Sequence, residues 1–104
     1  MDVDRELDNL YGLVEETSEL LSRYGEEFWV GWLQKRAQTL RIEGPLGAGR
    51  FAAGWGGMGG FLDLVIHPLN GHAIFEADVD ATNRHLDKLR SDMYRTAGRI
   101  RTNA

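Results

Sequence analysis

A chain of 104 residues, 42% hydrophobic and 27% charged, has the size and composition of one soluble domain spanning 1–104 around a single core. Its net charge of −4 opposes general DNA or RNA binding, which calls for net basic charge. The absence of cysteine excludes disulfides, thiolate nucleophiles and cysteine zinc sites. Seven acids in the first 25 residues and no long apolar run lead us to expect neither a secretory leader nor a membrane span, and a cytoplasmic location.

The first helix is expected over 3–24. Val3, Leu7, Leu10, Val14, Thr17, Leu21 and Tyr24 alternate at spacings of four and three, which places them on one helical face. Gly12 weakens its middle, and Gly25 suits the left-handed residue that ends it. A second helix over 26–42 opens with Glu26 and Glu27, where the helix dipole favours acids. It carries Phe28, Trp29, Trp32, Leu33, Ala37 and Leu40 as a broad aromatic face. The short junction makes the pair a helical hairpin, and Gly44-Pro45 stops the second member.

Ala48 to Ala53 has room for one or two helical turns before five glycines (Gly54, Gly56, Gly57, Gly59, Gly60) crowd around Trp55 and Met58. Residues 61–75 read either as two short extended segments around the Pro68–Gly71 turn, a β-hairpin, or as a loop with a buried apolar plug. The last helix, 77–101, has Asp78 or a neighbour as cap and Val79, Leu86, Leu89, Met93, Ala97 and Ile100 at helical period. The expected fold is mainly α, three main helices with a glycine-rich crossing segment. Leu10, Val14, Leu21, Trp29, Leu33, Leu89 and Met93 form its predicted core.

Charge is unevenly placed. Residues 1–27 hold nine acids against Arg5 and Arg23, and residues 84–104 hold six bases against Asp87 and Asp92. The two ends either neutralise each other within the fold or leave an acidic face for a basic partner.

Few constellations carry chemistry. Gly54-Trp55-Gly56-Gly57-Met58-Gly59 matches the dinucleotide pattern G-x-G-x-x-G, but helix rather than strand is expected before it. Close backbone packing is the plainer reading, with a surface cradling a ligand or partner loop as the alternative. Asp63, His67, His72 and Glu76 form the one group with metal-ligating or acid–base potential. It allows a small metal-dependent hydrolase built on Asp63, His67 and His72, against a structural role in the turn. The serines all fall within helices, and no cofactor is implied.

Tyr24-Gly25-Glu26-Glu27-Phe28-Trp29 and Gly56-Gly57-Met58-Gly59-Gly60-Phe61-Leu62-Asp63-Leu64-Val65 together resemble a family of small uncharacterised bacterial proteins. In that family a helix beginning Gly-Glu-Glu-Phe-Trp precedes a Phe-Gly-Gly-Met-Gly-Ser-Phe-Asn-Asp-Leu motif. The likeness spans residues 20–95 and departs at Trp55, Gly60 and Leu62. It implies a bacterial cytosolic origin and carries no established activity.

The expectation is a protein-binding domain whose most specific form is an immunity or antitoxin protein occupying a basic cleft on a toxin. Glu15 and Glu19 would steer the partner, and Trp55, Met58, Asp63, His67, Asn70 and His72 would supply contacts. A homo-oligomer using the same surface and a small-ligand binder with a pocket under the glycine loop are the rivals. No nucleic acid or membrane partner is expected.

Overall fold

Four α-helices and intervening 3-10 turns make up the fold in a computed structural model that describes residues 2–56 and 59–104. Helix α1 (Val3–Arg23) begins at Asp2, whose Oδ1 accepts the Arg5 N–H at 3.2 Å. It ends where Gly25 takes φ +77°. Helix α2 (Glu27–Glu43) folds back along α1 and stops at Gly44, φ +72°. Pro45 then sits inside a 3-10 turn, Gly44–Gly47, that leads directly into the short helix α3 (Ala48–Ala52). Helix α4 (Val79–Asn103) returns along α1 and α3. The three long helices thus lie within two residues of the expected bounds.

The seams meet in one core. Leu10, Val14 and Leu21 of α1, Leu33, Ala37 and Leu40 of α2, and Leu86, Leu89, Met93, Ala97 and Ile100 of α4 are buried. Trp29, predicted for the core, is only half-buried, and Phe28 leaves the expected aromatic face to stand 66% exposed. Thr17 sits within the apolar seam because its hydroxyl donates to Leu13 O at 2.7 Å, so burial leaves no polar atom unpaired. Asp78 occupies the cap position of α4 but makes no side-chain cap bond; a 3-10 turn, Glu76–Asp78, feeds the helix instead.

Residues 61–75 adopt the loop alternative, with 3-10 turns at Phe61–Asp63 and Pro68–Asn70 and no hairpin. The reason lies in where Ile66 finds its backbone partners. Its N–H donates to Asn83 Oδ1 at 2.8 Å, and its C=O accepts from Asn83 Nδ2 at 2.8 Å. An asparagine on α4 thereby satisfies the groups a second strand would have paired. Pro68 lacks the N–H a ladder needs, and it starts the turn that Gly71 closes at φ +86°.

Candidate functional site

The glycine-rich segment is organised by aromatic packing beneath it. Phe61 is fully buried, with ring centroids 5.4 Å from Trp29, 5.1 Å from Trp32 and 5.3 Å from Trp55. Trp55 is 1% exposed, and its indole N–H donates to Phe51 O at 2.8 Å. Trp55 is therefore a core anchor and presents no ring to a partner, contrary to the surface role expected for it. Gly54 and Gly59 take φ of +75° and +73°, which only glycine adopts without strain, so those two serve the reversal of the chain. Met58 lies outside the described residues.

Polar clamps fasten the segment from below. Arg90, buried on α4, donates through Nη1 to Phe61 O at 2.7 Å and Leu64 O at 3.1 Å, while Nη2 pairs with Asp87. Asp63 Oδ2 accepts the Gly59 N–H at 2.8 Å, closing the loop on itself. Asn70 Nδ2 donates to Val65 O at 2.9 Å. Asn83 and Arg90 were missed by sequence reasoning, where Asn83 was unremarked and Arg90 counted only as charge. A polar residue lying within the α4 seam register was the available signal.

The two histidines also work on the backbone. His67 Nδ1 accepts the Leu69 N–H at 3.0 Å. His72 is buried, its Nδ1 accepts the His67 N–H at 3.0 Å, and its Nε2 meets Glu26 Oε1, tying the turn to the start of α2. Nδ1 also lies 3.1 Å from His67 O, so one ring nitrogen is held against the His67 backbone and the other against the carboxylate. Asp63 is engaged apart from the histidines, and the His67 and His72 rings take different partners. Among the described residues no group of three or more His, Cys, Asp or Glu converges to hold a metal.

Beside polar Asp63, Asn70 and Glu76, the segment exposes several large apolar side chains. Leu69 is 89% and Phe75 82% exposed, with Leu62 and Val65 about half so. On its α4 side lies a cleft of about 640 Å³ lined by Gly54, Gly56, Leu62, Arg90, Ser91 and Tyr94 among others.

The acidic helix is only partly neutralised. Glu6 pairs with Arg99 at 3.3 Å, and Glu16 meets His85 Nε2 at 3.3 Å, a contact that pairs charges only when the imidazole is protonated. Asp4, Asp8, Glu15 and Glu19 are exposed and have no ion-pair partner among the described residues. At about 100° per residue these four fall within an arc of about 60°, a ridge about 22 Å long. Glu15 and Glu19, expected as steering residues, are its C-terminal half. No hydrogen bond or ion pair among the described residues links them to the His67–His72 turn.

No helix among the described residues is long and apolar enough to cross a membrane. Comparison with curated proteins and with solved structures returned no match. A family model, the Domain of unknown function (DUF6966), matches residues 22–74, about half of the chain and the part that runs from the α1–α2 junction through the His67–His72 turn. The chain belongs to this uncharacterised family.

Proposed function

We propose that the protein works by occupying the surface of a basic protein partner, and that its specific form is an immunity or antitoxin protein covering a cleft on a toxin. The observation that carries this reading is the α1 ridge of Asp4, Asp8, Glu15 and Glu19, four exposed carboxylates with no internal partner among the described residues. Such a field speeds encounter with a positive surface and rejects a negative one. Leu69, Phe75 and Phe28 are exposed apolar side chains able to anchor a docked complex, the role that buried Trp55 cannot take.

The test is affinity capture from cells of the source organism, with growth protection as its functional arm. The expected result is a partner of strongly basic charge, encoded beside this gene, whose toxicity is relieved on co-expression. Glu15→Lys/Glu19→Lys should lose both capture and protection while remaining folded. Recovery of the protein alone, or protection unchanged by the double reversal, would defeat the reading and favour a homo-oligomer.

A second reading rests on the cleft of about 640 Å³ beside Gly54 and Gly56, a volume within the range of small-ligand sites. Among the described residues, a Cβ added at Gly56 would meet nothing within 4 Å, so their packing does not demand glycine there. Close approach of a ligand would. Gly56→Val should then abolish ligand-induced thermal stabilisation without lowering the melting temperature of the free protein, and a variant that still responds to ligand would refute it.

A further inference from the structure

Helix α2 is apolar on both sides. Leu33, Ala37 and Leu40 face the core, yet Phe28 and Ile42 stand 66% and 77% exposed on the outer side. Phe28, Gly31, Lys35, Gln38 and Ile42 follow one another at spacings of three and four, and all five are exposed. At about 100° per residue they share an arc of about 80° and form a stripe about 21 Å long. Gly31 weakens the helix within this stripe, and among the described residues a Cβ there would meet nothing within 4 Å. Their packing gives no reason for a glycine, whereas a second backbone passing close by gives one.

The outer face of α2 is complementary to itself. Glu27 and Arg41 lie along one edge of the stripe, exposed and 14 residues apart, and neither has an ion-pair partner among the described residues. The Arg41 guanidinium lies 4.5 Å over the Tyr11 ring, a stack that leaves its N–H edge free to donate. Phe28 and Ile42 are also 14 residues apart, along the other edge. In an antiparallel pair of α2 helices related by a two-fold axis, both spacings are satisfied at once. Phe28 then meets Ile42 of the second copy, Glu27 meets its Arg41, and Gly31 meets its Gln38. A parallel pair would instead set Glu27 against Glu27. Lys35, midway along the stripe, is the residue that meets its own like, and its long stem turns the charge out to solvent.

We propose that α2 presents this stripe to a second copy of the chain, forming an antiparallel two-fold dimer. Its size sets its strength: one face of a 17-residue helix lies at the low end of specific interfaces, so the dimer is a weak one. None of Asp4, Asp8, Glu15 and Glu19 belongs to the stripe, nor do Leu69 and Phe75, and Phe28 alone is shared with the proposed partner surface. Dimerisation is read on the pure protein, so its failure and the failure of partner capture are separate results.

Sedimentation equilibrium up to about 500 µM tests it, with circular dichroism and a thermal melt on every variant. The parent should dimerise with Kd on the order of 100 µM or tighter. Ile42→Glu changes an exposed side chain, so it should weaken the dimer at least about tenfold and leave the melting temperature within a few degrees. Lys35→Met should tighten the dimer by about threefold or more, because it removes the facing like charges. Glu27→Arg and Arg41→Glu should each be monomeric alone and should pair with each other when mixed, since only the mixed pair sets every base against an acid. A parent still monomeric at about 500 µM, a dimer indifferent to Ile42→Glu, or a mixture of the two charge reversals no more associated than either alone would overturn the proposal.

Discussion

Replacing Asn83 with alanine should unfold the 61–75 segment from α4 and cost the whole fold a large part of its stability. The Asn83 side chain makes three hydrogen bonds of 2.8 Å, accepting from Ile66 N–H and donating to Ile66 O and Val79 O. Val79 O lies within α4, so the bonds to Ile66 carry the effect, and Ile66 is fully buried. A lost hydrogen bond is worth about 1 kcal/mol net, and a buried group left without a partner costs about 1–3 kcal/mol more. The expected loss is therefore about 2–4 kcal/mol, against a total of about 5–15 kcal/mol for a domain of this size. At about 4–8 °C per kcal/mol, the melting temperature should fall by about 8 °C or more. Urea denaturation followed by tryptophan fluorescence measures it, because Trp29, Trp32 and Trp55 all report on the packing around Phe61. Asn70→Ala is the control, since its single bond to Val65 O at 2.9 Å is exposed and should cost under about 1 kcal/mol. An Asn83→Ala loss no larger than that of Asn70→Ala would refute the reasoning.

Gly12→Ala should stabilise the protein by about 0.5–1 kcal/mol, because a Cβ there meets nothing within 4 Å in mid-helix; Gly25→Ala, at φ +77°, should destabilise it by about 1 kcal/mol. Chemical denaturation of the pair reads both signs. Trp55→Ala should cost about 3–5 kcal/mol as a core truncation, whereas Trp55→Phe should lose about 1 kcal/mol with the bond to Phe51 O, a contrast visible in thermal melts. The Asp92 carboxyl is held below its ordinary value of 3.8 by the hydrogen bond from Lys88, aided by Arg95 and opposed by burial. A depressed folded value means its contribution is present above that ordinary value and lost as pH falls through the folded one. Asp92→Asn should therefore lower stability slightly and equally from pH 6 to 8, and the difference from the parent should shrink as pH falls below the ordinary carboxyl value.

Much of this fold was legible because it depends on local periodicity. The α1 seam from Val3 to Tyr24 follows its helix to within a residue, and Gly25 and Gly44 end helices at the positive φ their position required. The 61–75 segment was not settled by sequence, because its outcome depended on Asn83, 17 residues from Ile66. Extended and looped forms of Leu64–His67 have similar local preferences, and only a distant side chain decided between them. Trp55 misled for a related reason. A tryptophan among glycines resembles an exposed anchor, yet Phe51, Phe61, Trp32 and Tyr94 close around it from three helices and a turn. The uneven charge was read correctly as a pattern. Which acids found bases was decided by the rotation of α1 against α4, which brings Glu6 and Glu16 to partners and turns Asp4, Asp8, Glu15 and Glu19 away.

The central claim, that the α1 ridge steers a basic protein partner, is tested most directly by the association rate with the captured partner across ionic strength. The parent protein should lose about tenfold or more in association rate between about 20 and 300 mM salt. A variant carrying Asp4→Asn, Asp8→Asn, Glu15→Gln and Glu19→Gln should associate slowly at both and show a much flatter salt dependence, with dissociation little changed. Equal salt slopes for parent and variant would contradict the account.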